Sequence, residues 1–114
     1  QPPTLDPADL ALEVLAAGVP LAAPAPLLII NEPIYRSDGE NSNLRYNFFY
    51  PRWAYDAYRE LLSGFCDEHN LAYLDLWDLL PPEDFTNSAI HYNPEGAAQI
   101  TTRLFAAVQS LINR

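Results

Sequence analysis

Two short apolar runs and two long amphipathic patterns organise the chain. Leu27, Leu28, Ile29 and Ile30 are continuous, with Pro26 before them and Pro33 just beyond Asn31 and Glu32. A run this short, isoleucine-rich and bounded by prolines predicts a strand buried on both faces. Residues 71–76 (Leu-Ala-Tyr-Leu-Asp-Leu) predict a second strand. Between the two, Trp53, Ala57, Leu61 and Phe65 recur at helical spacing, with Ala54, Tyr58 and Leu62 beside them and charges in the gaps. That stripe predicts a helix starting at Pro51, ending at Asn70 and facing the sheet. Strand, helix and strand in this order favour parallel pairing through a right-handed crossover.

Two further helices are signalled by their starts. Asp6 is placed to cap, Pro7 suits the first turn, Asp9 faces the positive helix end, and Leu5 and Leu10 are spaced as a hydrophobic staple. This helix should stop near Gly18, leaving residues 21–26 as a proline-interrupted connector. Asn93, Pro94 and Glu95 open the last helix by the same logic, with Ile100, Leu104, Val108 and Leu111, flanked by Phe105 and Ile112, as its buried face. Residues 37–43 are polar and turn-forming. The aromatic stretch 46–50 after them reads as an anchor tying that loop to the body, the alternative being a flap over a cleft. Residues 81–85 mark a break with a short helical turn. The pattern is α/β with two obvious strands, few for a complete layered domain.

Length and charge narrow the function. The 114 residues fit one compact domain or part of a larger fold, and a 49% hydrophobic content argues against general disorder. Fifteen acidic side chains oppose six arginines and no lysine, a formal net charge of -9. Nucleic acid and anionic membrane surfaces are therefore poor partners. No apolar stretch is long enough to span a bilayer, and the first residues lack the pattern of a signal peptide. Cys66 is the only cysteine, which rules out an internal disulfide and suggests a buried, inert thiol. His69 and His91 are the only histidines, and no carboxylate set joins either at familiar ligand spacing, so neither a metal nor another cofactor is expected.

His91 remains as the reagent. It precedes the last helix on a loop that, in an open parallel fold, belongs beyond the strand C-termini together with Asn31 and Glu32. A histidine there is placed to accept a proton from a serine hydroxyl and return it to a leaving group, if an acid orients its second nitrogen.

At these residues the chain resembles the C-terminal part of SGNH or GDSL-type serine hydrolases, closest to branches that transfer acyl groups on extracytoplasmic polysaccharides or teichoic acids. The resemblance covers about residues 25 to 112. It runs from the strand ending in Asn31, Glu32 and Pro33, through a helix and the strand at Leu74, Asp75 and Leu76, to His91 and Gly96 before a closing helix. It implies a partial three-layer, flavodoxin-like scaffold over 25–114, with 1–24 as an N-terminal helix and connector. It also implies an esterase or O-acyltransferase in which His91 is the base, an acylated carbohydrate or other ester as substrate, and an extracytoplasmic location.

Three residues before its histidine the family carries aspartate; here that position is Ser88, with Asn87 beside it. An amide or hydroxyl orients an imidazole but brings no full negative charge. Asp84 and Asp75 are the acids within reach if the loop bends back. No Gly-Asp-Ser segment is present, so the nucleophile is expected from a missing upstream segment or a protein partner, and the chain alone should be inactive. The candidate catalytic residues are His91, Asn87 and Ser88. The competing class is a non-catalytic carbohydrate- or protein-binding domain on a degenerate hydrolase scaffold, using the aromatic loop from Tyr46 to Trp53. A third possibility is a structural remnant whose open sheet edge is covered by missing sequence.

Overall fold

A computed structural model describes residues 3–113. A 3-10 turn at Pro7–Asp9 leads into helix α1 (Leu12–Ala22), strand β1 (Leu28–Asn31), helix α2 (Arg52–Glu68) and strand β2 (Ala72–Asp75). A second 3-10 turn at Pro82–Asp84 precedes helix α3 (Pro94–Ile112). The result is a small α/β domain in which β1 and β2 pair in parallel, with Leu28 opposite Ala72 and Asn31 opposite Asp75.

The middle of the chain follows its pattern. Pro51 immediately precedes α2, and Asn70 ends it in the left-handed conformation, φ 55°. There Leu71 N–H donates to the Cys66 carbonyl at 2.8 Å and Asn70 N–H to that of Asp67 at 3.2 Å, which satisfies two helix-end acceptors. The buried face is rotated from the expected stripe: Tyr55, Leu62 and Cys66 point inward, and Trp53 is 44% exposed. The cause lies in the core, where Ile34, Tyr46 and Tyr55 pack with Tyr50, Tyr58 and Trp77, so the tyrosine side of α2 takes the inner position. Burial raises the pKa of the Cys66 thiol, as suits an inert side chain.

Further expectations fail, two of them because burying surface is missing. Ile30 is 37% exposed, not enclosed, since the sheet ends at β1 and the groove beside Leu10 and Ala54 is open. The Asp6–Pro7 start closes only the 3-10 turn at Pro7–Asp9, with Asp6 accepting from Ala8 N–H at 2.9 Å, and α1 begins at Leu12 without a side-chain cap. It then runs past Gly18 and through Pro20 to Ala22; its alanine- and leucine-rich sequence sustains the helix where proline forfeits one backbone bond. On α3 only Gly96 is buried, while Phe105, Val108 and Ile112 are 64%, 42% and 68% exposed.

The molecule is correspondingly flat. It measures 47 × 40 × 18 Å with a radius of gyration of 15.7 Å, against about 13 Å for a compact domain of this length.

Candidate functional site

The histidine-bearing loop is closed at its neck. Phe85 and Tyr92 form an antiparallel bridge, and Thr86 N–H donates to the His91 carbonyl at 2.9 Å, with the Thr86 hydroxyl on the same oxygen at 3.3 Å. Below the neck, Asn93 N–H donates to the Asp84 carbonyl at 2.8 Å, while the Asn93 side chain caps α3 by accepting from Gly96 N–H at 2.8 Å. Gly96 is required by proximity. A Cβ there would stand 3.0 Å from Leu80 Cδ1, 3.1 Å from Tyr92 Cβ and 3.3 Å from Asp84 Cβ.

The loop leans on the exit of β1. Tyr35 N–H donates to the Ala89 carbonyl at 2.9 Å, and the Tyr35 ring meets Phe85 edge-on at 5.8 Å. Burial, and then the neighbouring Glu32 carboxylate, raise the pKa of the Tyr92 phenol. The strand exit carrying Asn31 and Glu32 and the loop carrying His91 are thus adjacent.

His91 itself is exposed, and its ring makes no hydrogen bond among the described residues. Asn87 and Ser88 do not approach it through hydrogen bonds: Asn87 Oδ1 accepts from the Thr86 hydroxyl at 3.3 Å, and Ser88 Oγ from Ile90 N–H at 3.3 Å. The two aspartates are committed elsewhere. Asp84 is buried and its carboxylate accepts from Gln99 Nε2 at 3.0 Å. Asp75 receives Arg59 Nε and Nη2, both at 2.9 Å. His69 stacks on Phe65 at the end of α2, 4.1 Å between ring centroids. No group of three or more His, Cys, Asp or Glu among the described residues could hold a metal ion. No helix among them is long and apolar enough to cross a membrane.

Sequence reasoning missed a polar network under the strand ends. Asn31, only 5% exposed, donates through Nδ2 to the Tyr55 hydroxyl and to Asp75 Oδ1, both at 3.0 Å, and accepts from the Tyr58 hydroxyl at 3.0 Å. The Arg59 guanidinium beside Asp75 lies over the Trp77 ring, 4.3 Å from its centroid. The only local signal was a lone polar residue closing an apolar run; its partners lie 24 to 44 residues away.

The aromatic stretch divides its tasks. Tyr46 anchors it, in edge contact with Tyr55 at 5.7 Å and Trp77 at 5.2 Å, its hydroxyl donating to Asp56 at 2.6 Å. Phe48 and Phe49 stand out at 82% and 66% exposure and form one wall of a cleft of about 720 Å³. The opposite wall includes Phe85, Asn87 and Ser88; His91 is not among the lining residues.

Comparison of the chain with protein-family models, with curated proteins and with solved structures finds no match.

Proposed function

We propose that this chain is the C-terminal, histidine-bearing part of an SGNH-like serine esterase or O-acyltransferase, built on a flavodoxin-like three-layer scaffold and acting outside the cytoplasm on an acylated carbohydrate or related ester. The observation that carries this reading is the His91 imidazole, exposed and free of hydrogen bonds among the described residues, on a loop closed at its neck and braced against the C-terminal edge of a parallel strand pair. Catalytic groups of open α/β folds collect at that edge. The 18 Å thickness and the open side of β1 support a scaffold lacking strands and a helical layer.

In the complete enzyme a serine from outside this chain attacks the ester carbonyl while His91 takes its hydroxyl proton. The tetrahedral adduct collapses, His91 protonates the departing alkoxide, and the acyl group stays on serine until water or an acceptor alcohol, deprotonated by His91, removes it. The acid is the weak point, because Ser88 and Asn87 offer no charge. This chain alone is inactive in that scheme. The test is turnover of p-nitrophenyl acetate by the chain joined to its upstream polypeptide. His91→Ala should lower kcat by roughly 10³ or more, and unchanged turnover would remove His91 from the reaction.

A second reading, a non-catalytic carbohydrate- or protein-binding domain on the same scaffold, draws on a different observation. Asn87 and Ser88 are occupied by their own loop, and two exposed phenylalanines border the adjoining cleft. Saturable binding without turnover by the complete polypeptide would favour it.

A further inference from the structure

We propose that the free edge of β1 pairs antiparallel with the same edge of a second copy, so that two chains share one four-stranded sheet in the order β2-β1-β1-β2. The inference does not rest on the esterase reading.

Hydrogen bonding selects a strand as the occupant. Leu76 N–H donates to the Asn31 carbonyl at 2.9 Å, so the peptide groups of Asn31 and, two residues back, of Ile29 face β2. Those of Leu28 and Ile30 face the other way, and neither their N–H groups nor their carbonyls have a partner among the described residues. Two free donors and two free acceptors along one sheet edge are matched by another extended backbone. Ile30 is 37% exposed, so the edge is reachable.

Self-complementarity selects the second copy. In the register that sets Leu28 opposite Ile30 of the second copy, a two-fold axis passes at Ile29 and the free groups of each chain satisfy those of the other. Asn31 turns its side chain to Tyr55 and Tyr58 of α2, so alternation carries Leu28 and Ile30 to the opposite face. There they meet across the junction as aliphatic cross-strand pairs. Slipped registers are disfavoured, because two residues one way brings in Pro26, which has no N–H, and two the other way sets Glu32 against Leu28.

Charge permits this contact and opposes others. A chain of net charge -9 repels its copies, yet residues 14–31 carry no charged side chain. Glu32 comes next in the chain, and the chosen register holds the two Glu32 residues at opposite ends, about 20 Å apart at about 3.4 Å per residue. That exceeds the Debye length of about 8 Å in physiological salt. A basic partner would find Glu32 as the single charge lining the groove beside Ile30. The far edge of the sheet, at β2, carries the Asp75–Arg59 ion pair, and a charged edge resists pairing, so assembly stops at two.

The test is sedimentation equilibrium of the full chain at rising concentration, which should give masses running from one chain toward two and no further. Ile30→Lys should raise the dimer dissociation constant at least tenfold, whereas Phe105→Lys on α3 and Phe48→Ala leave it unchanged, with circular dichroism checking the fold of each. Hydrogen exchange gives a readout that needs no substitution: the Leu28 and Ile30 amides should slow as the dimer fills, while those of the last turns of α3 do not. A chain monomeric throughout, a dimer dispersed by Phe105→Lys but indifferent to Ile30→Lys, growth beyond two chains, or shielding of Ile30 only by the upstream polypeptide would each overturn the proposal.

Discussion

Asn31 shows how one side chain ties this fold together. Its amide satisfies Tyr55, Tyr58 and Asp75 at once, from a position almost without solvent. Asn31→Ala would strand several of these groups, and an unsatisfied buried polar group costs about 1–3 kcal/mol. Urea denaturation of the variant should show a loss of that size, and a smaller loss for Tyr58→Phe, which removes one hydroxyl from the half-buried rim. Gly96 is the steric counterpart. An alanine there meets three side-chain atoms at 3.0 to 3.3 Å, two of them Cβ atoms that cannot swing away. Gly96→Ala is expected to lower stability by about 1–3 kcal/mol, the usual cost of overpacking, read as a lower Tm. In the sequence Gly96 was visible as a glycine after a helix start and as part of the family resemblance, but its close packing was not, because two of the three atoms that exclude a side chain come from Leu80 and Asp84, on other segments. His91 could be singled out as a candidate for the opposite reason: residue type and position before a capped helix are both local.

At the scale of elements, the sequence was readable wherever local rules and tertiary packing agreed. β1, β2, α2 and the capped start of α3 fall where apolar period, proline and asparagine put them. Legibility ended where a face needed a partner. The α3 stripe has the right spacing, yet Phe105 and Ile112 remain in water, because periodicity records which side a helix would bury and not whether anything covers it. Phe105→Ser should therefore change the stability of the isolated chain by less than about 0.5 kcal/mol, the range for surface substitutions. Hydrogen exchange checks the same point differently. Amides of β1, β2 and central α2 should be the slowest, whereas α1, which buries none of its residues, and the last turns of α3 should exchange early.

The core of the whole molecule combines tyrosines with aliphatic side chains, and the tyrosines make it sensitive to alkali. Tyr46, Tyr55, Tyr58, Tyr73 and Tyr92 all have raised pKa values, with burial the largest cause in each case. Below the ordinary phenol value of about 10, folded and unfolded chains both keep these protons, and the stabilisation is complete. Above it the unfolded chain releases protons that the native state retains, so the unfolding free energy should fall as pH rises beyond about 10. Urea midpoints measured from pH 8 to 11 test this, and a flat profile would contradict it. The thin shape has a parallel effect on the candidate site, since the edge that presents His91 is open on the side where β1 has no neighbouring strand among the described residues.

The pair of tryptophans turns this architecture into an optical gauge. Trp77 packs against the tyrosine core with the guanidinium of Arg59 4.3 Å from its ring centroid and that of Arg36 at 5.7 Å, whereas Trp53 is 44% exposed. A neutral collisional quencher such as acrylamide reaches the 44%-exposed Trp53 more readily in the folded protein than the partly buried Trp77, whose shielding is lost when the core opens. The Stern–Volmer plot of the native chain should bend downward and straighten on unfolding. In Trp53→Phe the remaining emission becomes a direct readout of whether the tyrosine core is closed.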